Sequence, residues 1–76
     1  MSDNKNYINF GDFARRELHM QSQYASHYAD GIGGAPDFGK DLRIHRGRPG
    51  DYHTYKIHKD DAPIFKKRVT NYRKTR

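Results

Sequence analysis

The sequence predicts a small α+β fold: an N-terminal amphipathic helix, a glycine-rich connector, a short β-hairpin and a C-terminal basic helix. Two kinds of periodicity carry that expectation. Apolar residues recur at helical spacing between Phe10 and Tyr28 and again between Phe65 and Tyr72, whereas residues 41–58 contain two short runs that alternate with period two. A third observation tempers it. With 76 residues, 33% of them hydrophobic, and a mean hydropathy of −1.23, the chain has little with which to build a core, so an extended form ordered by partners is also open.

Residues 1–9 are polar and read as extended. A helix is expected from Asp12 to Asp30, capped by Asp12, or by Asn9 if it starts earlier, and stopped by Gly31 in the left-handed region. Its apolar stripe holds Phe10, Phe13, Ala14, Leu18, Tyr24, Ala25 and Tyr28. Glu17 and Gln21 interrupt the stripe, and Arg15, Arg16, Ser22 and Ser26 point elsewhere. Residues 31–40 contain four glycines and a proline, which cannot sustain a regular element and read as a hinge or irregular connector. Leu42 and Ile44 alternate with Arg43 and His45, and Tyr52 to His58 alternates as well. The turn formers Arg46 to Asp51 lie between, so a hairpin pairing Leu42 and Ile44 with Tyr55 and Ile57 is expected, with a helix or a partner surface behind it. Asp60 and Asp61 suit a helix start, Pro63 fits its first turn, and Phe65, Val69 and Tyr72 mark its buried stripe. The chain thus divides into a polar N-terminus with a helix (1–30), a connector (31–40) and a basic hairpin–helix region (41–76), all in one structural unit.

Charge is distributed by position. Residues 1–41 carry four Lys/Arg against six Asp/Glu, and residues 42–76 carry eleven against three, so the +6 of the whole chain is a property of its second half. No acid occurs after Asp61, and Lys66 to Arg76 hold six cations. Such a half is a ready contact for a polyanion. The expected nucleic-acid contacts are Arg43, Arg46, Arg48, Lys56, Lys59, Lys66, Lys67, Arg68, Arg73, Lys74 and Arg76. Tyr52, Tyr55 and Tyr72 are interleaved with them as stacking faces. The stripe residues Phe10, Phe13, Leu18, Tyr24 and Tyr28 either close a miniature core or dock on a neighbouring protein subunit.

Other chemistry finds no foothold in the residues. The chain has no cysteine, hence no disulfide and no thiolate metal site. Of its five histidines, His53 and His58 have a loose zinc-like separation but would point to opposite faces of a strand, and no cysteine or His-Glu-x-x-His pattern accompanies them. There is no nucleophile motif, and the glycines after the first helix lack the Lys-Ser/Thr sequel of a phosphate-binding loop. No enzyme activity, cofactor, metal, membrane attachment or small-molecule substrate is therefore expected. The N-terminus has neither a signal-peptide nor a transit-peptide pattern, so a cytoplasmic or other soluble intracellular location is expected.

The functional expectation is a small basic RNA-binding accessory protein of a ribonucleoprotein assembly, on or near a ribosome, that neutralises phosphates and stabilises or occupies a structured RNA surface. RNA is preferred to DNA because no DNA-binding motif is present, and small polar chains with arginine-rich tails commonly order on structured RNA. The alternative is a phage-type or other interaction protein that regulates or helps assemble a larger protein machine, such as an inhibitor or a virion or capsid accessory protein. Its basic half would meet an acidic protein surface, and its helix would supply the hydrophobic anchor.

Overall fold

The computed structural model describes residues 5–48 and 51–75. Tyr7–Asn9 forms a short strand, β1, and the chain turns directly into α1, Phe10–Phe13. Asn9 makes that junction. Its side-chain oxygen accepts from the Asp12 N–H at 3.0 Å, closing the first turn, while its amide donates to the His53 carbonyl.

The continuous helix expected from Asp12 to Asp30 is broken. After α1 the chain widens into a π-helical turn, Ala14–Leu18, that ends at His19 with φ 55°, and α2 then runs Ser22–Asp30. His19 is the one non-glycine residue with positive φ among the described residues. That conformation costs about 1–2 kcal/mol for an L-residue, so packing must hold it there. A straight helix would have carried Glu17 and Gln21 along the buried stripe; the break re-aims the second helix. Ser22, Ala25, Ser26 and Ala29 become the buried face of α2, and Tyr24 turns outward at 52% exposure. Ser22 and Ser26, expected to point away from the core, are inside it. Ser26 Oγ satisfies itself by donating to the Gln23 carbonyl at 2.7 Å. Small side chains let α2 approach closely: a Cβ added to Gly11 of α1 would lie 3.5 Å from Ser22 Cβ. Gly31 closes α2 as expected, at φ 68°.

The connector is a packed join. Phe38 stacks on Tyr28, with ring centroids 6.1 Å apart and planes 10° from parallel, and meets Tyr72 edge-on at 5.8 Å. Gly39 is buried, and any Cβ there would come within 2.7 Å of both the Ala29 carbonyl oxygen and Ile44 Cδ1. That close approach needs glycine.

Ile44–His45 forms β2 and Lys56–His58 forms β3, antiparallel, with Ile44 opposite Ile57. The sheet nevertheless has three strands in the order β1-β3-β2, because β1 pairs antiparallel with the free edge of β3. Tyr52–Thr54, expected within the second strand of the hairpin, is instead a 3₁₀ turn. Pro49 and Gly50 of the expected hairpin turn lie outside the described residues. The last helix, α3, spans Ala62–Lys74 with Pro63 in its opening turn. Asp61 holds the N-cap position but does not cap with its side chain, which is engaged by Arg43.

Helices and sheet meet over one core. Phe10, Phe13 and Phe65 pack at centroid distances of 5.6–6.1 Å, joined by Leu18, Ile44, Tyr55, Ile57, Val69 and four alanines. Each large apolar side chain so enclosed contributes about 1.5–3 kcal/mol. The Cα radius of gyration is 11.4 Å, which matches the roughly 11 Å of a folded chain of this length and not the roughly 27 Å of an unfolded one. The extended alternative is thereby set aside: aromatic residues and small helix faces build a core that overall hydropathy understates. No helix among the described residues is long and apolar enough to cross a membrane.

Candidate functional site

Strand register decides what the sheet shows to solvent. Directly opposed residues share a face, so Ile8, Ile57 and Ile44 line one side, and Tyr7, Asn9, His45, Lys56 and His58 line the other. Ile57 and Ile44 on the isoleucine side are buried in the core, while Ile8 at the sheet edge is exposed. On the opposite side His45 and Lys56 are exposed and Tyr7 is half-buried. The Tyr7 ring meets His45 edge-on at 4.4 Å and His58 at 5.1 Å. His58 is itself buried, its Nδ1 3.1 Å from the Asp60 N–H that donates to it and its Nε2 3.4 Å from the Arg43 guanidinium. The outer face of the sheet is therefore an aromatic and cationic surface, made by Tyr7, His45 and Lys56 with Arg43 at its margin.

The remaining expected cations divide into two kinds. One kind is held by acids of the same chain. Asp61 takes three hydrogen bonds from Arg43, from its backbone N–H at 2.7 Å, Nε at 3.0 Å and Nη2 at 3.1 Å. Those bonds, side chain first, hold the Asp61 carboxyl below the usual carboxylate range and raise Arg43 in turn. Arg46 pairs with Asp30 and donates to the Ala29 carbonyl, tying β2 to the end of α2. Arg68 grips Asp41 with two parallel bonds of 2.8 and 3.1 Å and donates to the Phe38 carbonyl, fastening the connector to α3. Hydrogen bonding to Arg68 lowers Asp41, and Lys66, 2.9 Å from Glu17, lowers that carboxyl likewise. Three of these four pairs join an acid of residues 1–41 to a cation of residues 42–76. The uneven charge distribution is thus partly internal fastening: Arg46, Lys66 and Arg68, expected as nucleic-acid contacts, each pair with an acid of the chain while 36–46% of the side chain stays exposed.

The other kind, Arg48, Lys56, Lys59, Lys67, Arg73 and Lys74, makes no ion pair among the described residues. These cations do not converge on one patch. Lys56 lies on the outer sheet face, Lys59 lies beside Ile8 and Ala62, and Arg73 reaches the Leu18 carbonyl at 3.5 Å. Arg76 lies outside the described residues.

Two of the three expected stacking tyrosines are engaged inside. Tyr55 is buried and donates its hydroxyl to Asp30 at 3.1 Å; burial, then that bond, pushes its hydroxyl pKa up. Tyr72 packs against Tyr28 and Phe38. Tyr52 is half-buried, edge-on to Tyr55 at 5.7 Å. Of the residues expected to dock on a partner, Phe10, Phe13 and Leu18 are instead buried in the chain's own core, because the sheet and α3 bring apolar faces against them. Tyr24 stays exposed and Tyr28 half-exposed.

Tyr7, Asn9 and His45 are the residues that sequence reasoning missed. Their signal was the alternation Tyr7-Ile8-Asn9, legible as a strand only once β3 offered an edge for it. Among the described residues no three His, Asp or Glu are grouped to hold a metal ion. Comparison of the chain with protein-family models, with curated proteins and with solved structures gave no match, so the site rests on its own geometry.

Proposed function

We propose that this chain is a small RNA-binding accessory protein of a ribonucleoprotein assembly, and that it holds unpaired RNA on the outer face of its sheet. The observation that carries the reading is the register itself: Tyr7, His45 and Lys56 share one solvent-facing surface. Arg43, whose side chain is 55% exposed although paired, stands at its margin. Aromatic faces stack on unpaired bases without regard to sequence, and neighbouring cations neutralise the phosphates between them. Duplex RNA, whose bases are already stacked, offers such a platform only its backbone. The test is fluorescence anisotropy with single-stranded and duplex oligoribonucleotides. Tyr7→Ala is expected to weaken single-strand binding by about 1–3 kcal/mol and leave duplex binding nearly unchanged. Equal loss on both, or no binding to either, overturns the reading.

A second reading, an interaction protein of a larger machine, draws support from a different place. Tyr24, Tyr28, Ile32 and Tyr72 line a cleft of about 230 Å³ between α2, the connector and α3, and both Tyr24 and Ile32 are about half exposed. Capture of a partner protein that Tyr24→Ala abolishes, while RNA binding survives, would favour it.

A further inference from the structure

A second cleft, of about 400 Å³, opens where α2 begins, and Arg15, Ser22, Gln23, Asp51, Tyr52 and His53 line it. It adjoins the outer sheet face through Asn9, which shares that face with Tyr7 and Lys56 and donates its amide to the His53 carbonyl at 3.0 Å. Its polar groups are unspent. The Ser22 hydroxyl makes no hydrogen bond within the described residues and is open to solvent. The half-buried Asp51 carboxylate has no partner among them either. The Tyr24 and Ala25 amides both turn back to the Gln21 carbonyl, leaving the Ser22 and Gln23 amides at the open end of α2. Arg15 spends Nη2 on Asp12 and keeps its other donors.

Charge excludes an anion at the floor of this cleft. The Arg15–Asp12 pair cancels, and the start of a helix is worth about half a positive charge, which does not outweigh the full negative charge of Asp51. A neutral, planar ligand with both donors and acceptors on its edge suits the cleft better, flanked by the rings of Tyr52 and His53. Among nucleobases guanine alone pairs two adjacent donors, N1–H and N2–H, with two acceptors, O6 and N7. The donors match a carboxylate, and the acceptors match arginine and open amides.

We infer that this cleft holds one unpaired guanine, with Asp51 accepting from N1–H and N2–H and with Arg15 and the start of α2 donating to O6 and N7. The inference rests on the RNA-binding reading and deepens it: a strand lying on the sheet face reaches a pocket that selects one base.

The test is a two-dimensional amide NMR titration of the full chain with guanosine 5′-monophosphate, and with adenosine 5′-monophosphate as a control carrying the same phosphate and sugar. Guanosine monophosphate is expected to shift the Ser22 and Gln23 amides saturably, with a preference over adenosine monophosphate of at least about fivefold. Asp51→Asn, which removes no internal contact, should erase that preference, and Arg15→Ala should weaken binding with the dispersion of the spectrum retained. Equal response to the two nucleotides, or a preference that survives Asp51→Asn, overturns the guanine site. If a guanine-free oligoribonucleotide still binds with Tyr7 dependence, only the guanine site has failed; if no oligoribonucleotide binds, the broader reading fails with it.

Discussion

The clamped corner around Asp30 and the open face around Tyr7 use the same residue types for opposite ends. At the corner, Arg46 and the Tyr55 hydroxyl converge on one carboxylate, so all three are engaged within the chain. On the face, Tyr7, His45 and Lys56 stand side by side with no acid opposite them in the register. A basic, tyrosine-rich sequence is therefore no measure of a binding surface until its acids have been assigned. What distinguishes the regions is where residues 1–41 placed their carboxylates: Glu17, Asp30 and Asp41 each meet a cation of the second half. Stability and binding should accordingly respond to separate sets of substitutions.

The largest effect is expected from Phe65→Ala, which removes a fully buried ring packed on Phe10 and Phe13 beneath both regions. It should cost about 3–5 kcal/mol in denaturant unfolding, enough to unfold much of a domain this small. Tyr55→Phe leaves Asp30 with one donor fewer and should cost about 1 kcal/mol, with RNA affinity unchanged. If affinity falls as far as Tyr7→Ala lowers it, the corner is not separate from the face.

Acid should loosen the clamps. The Asp61, Asp41 and Glu17 carboxyls all titrate below their ordinary range because a cation hydrogen-bonds each of them. Groups lowered by folding contribute fully above the unfolded carboxylate range near pH 4, and their contribution fades as pH falls through the lowered folded values. Melting temperature measured from about pH 5 to about pH 2 should therefore drop, and Asp61→Asn should start lower and drop less. An unchanged acid profile in that variant would mean that Asp61 is not one of the clamps.

Much of the frame was legible in the residues. Pro63, Phe65 and Val69 mark α3, Gly31 ends α2, and the alternation around Ile44 and Ile57 brings those two residues opposite each other. Three things were not legible, each for a physical reason. A three-residue strand such as β1 has no periodicity of its own and exists through the edge it completes. The buried face of α2 consists of Ser22, Ala25, Ser26 and Ala29, which carry little hydrophobic signal beside Tyr24 and Tyr28, so the larger residues drew the stripe to the wrong side. The clamps join residues 16–49 positions apart, a distance over which charge patterning says nothing. The candidate site suffered most, since its Tyr7 and His45 come together only through the sheet, whereas Lys56 and Arg43 could be read from composition alone.

The division between clamped and open cations is most sharply probed by the salt dependence of single-strand RNA affinity. Each phosphate contact adds about 0.7 to the log–log slope. Lys56→Ala, on the open face, should lower that slope by about this amount, and Lys66→Ala, paired with Glu17, should leave it unchanged. A slope that falls equally in both variants, or only in Lys66→Ala, would refute the division.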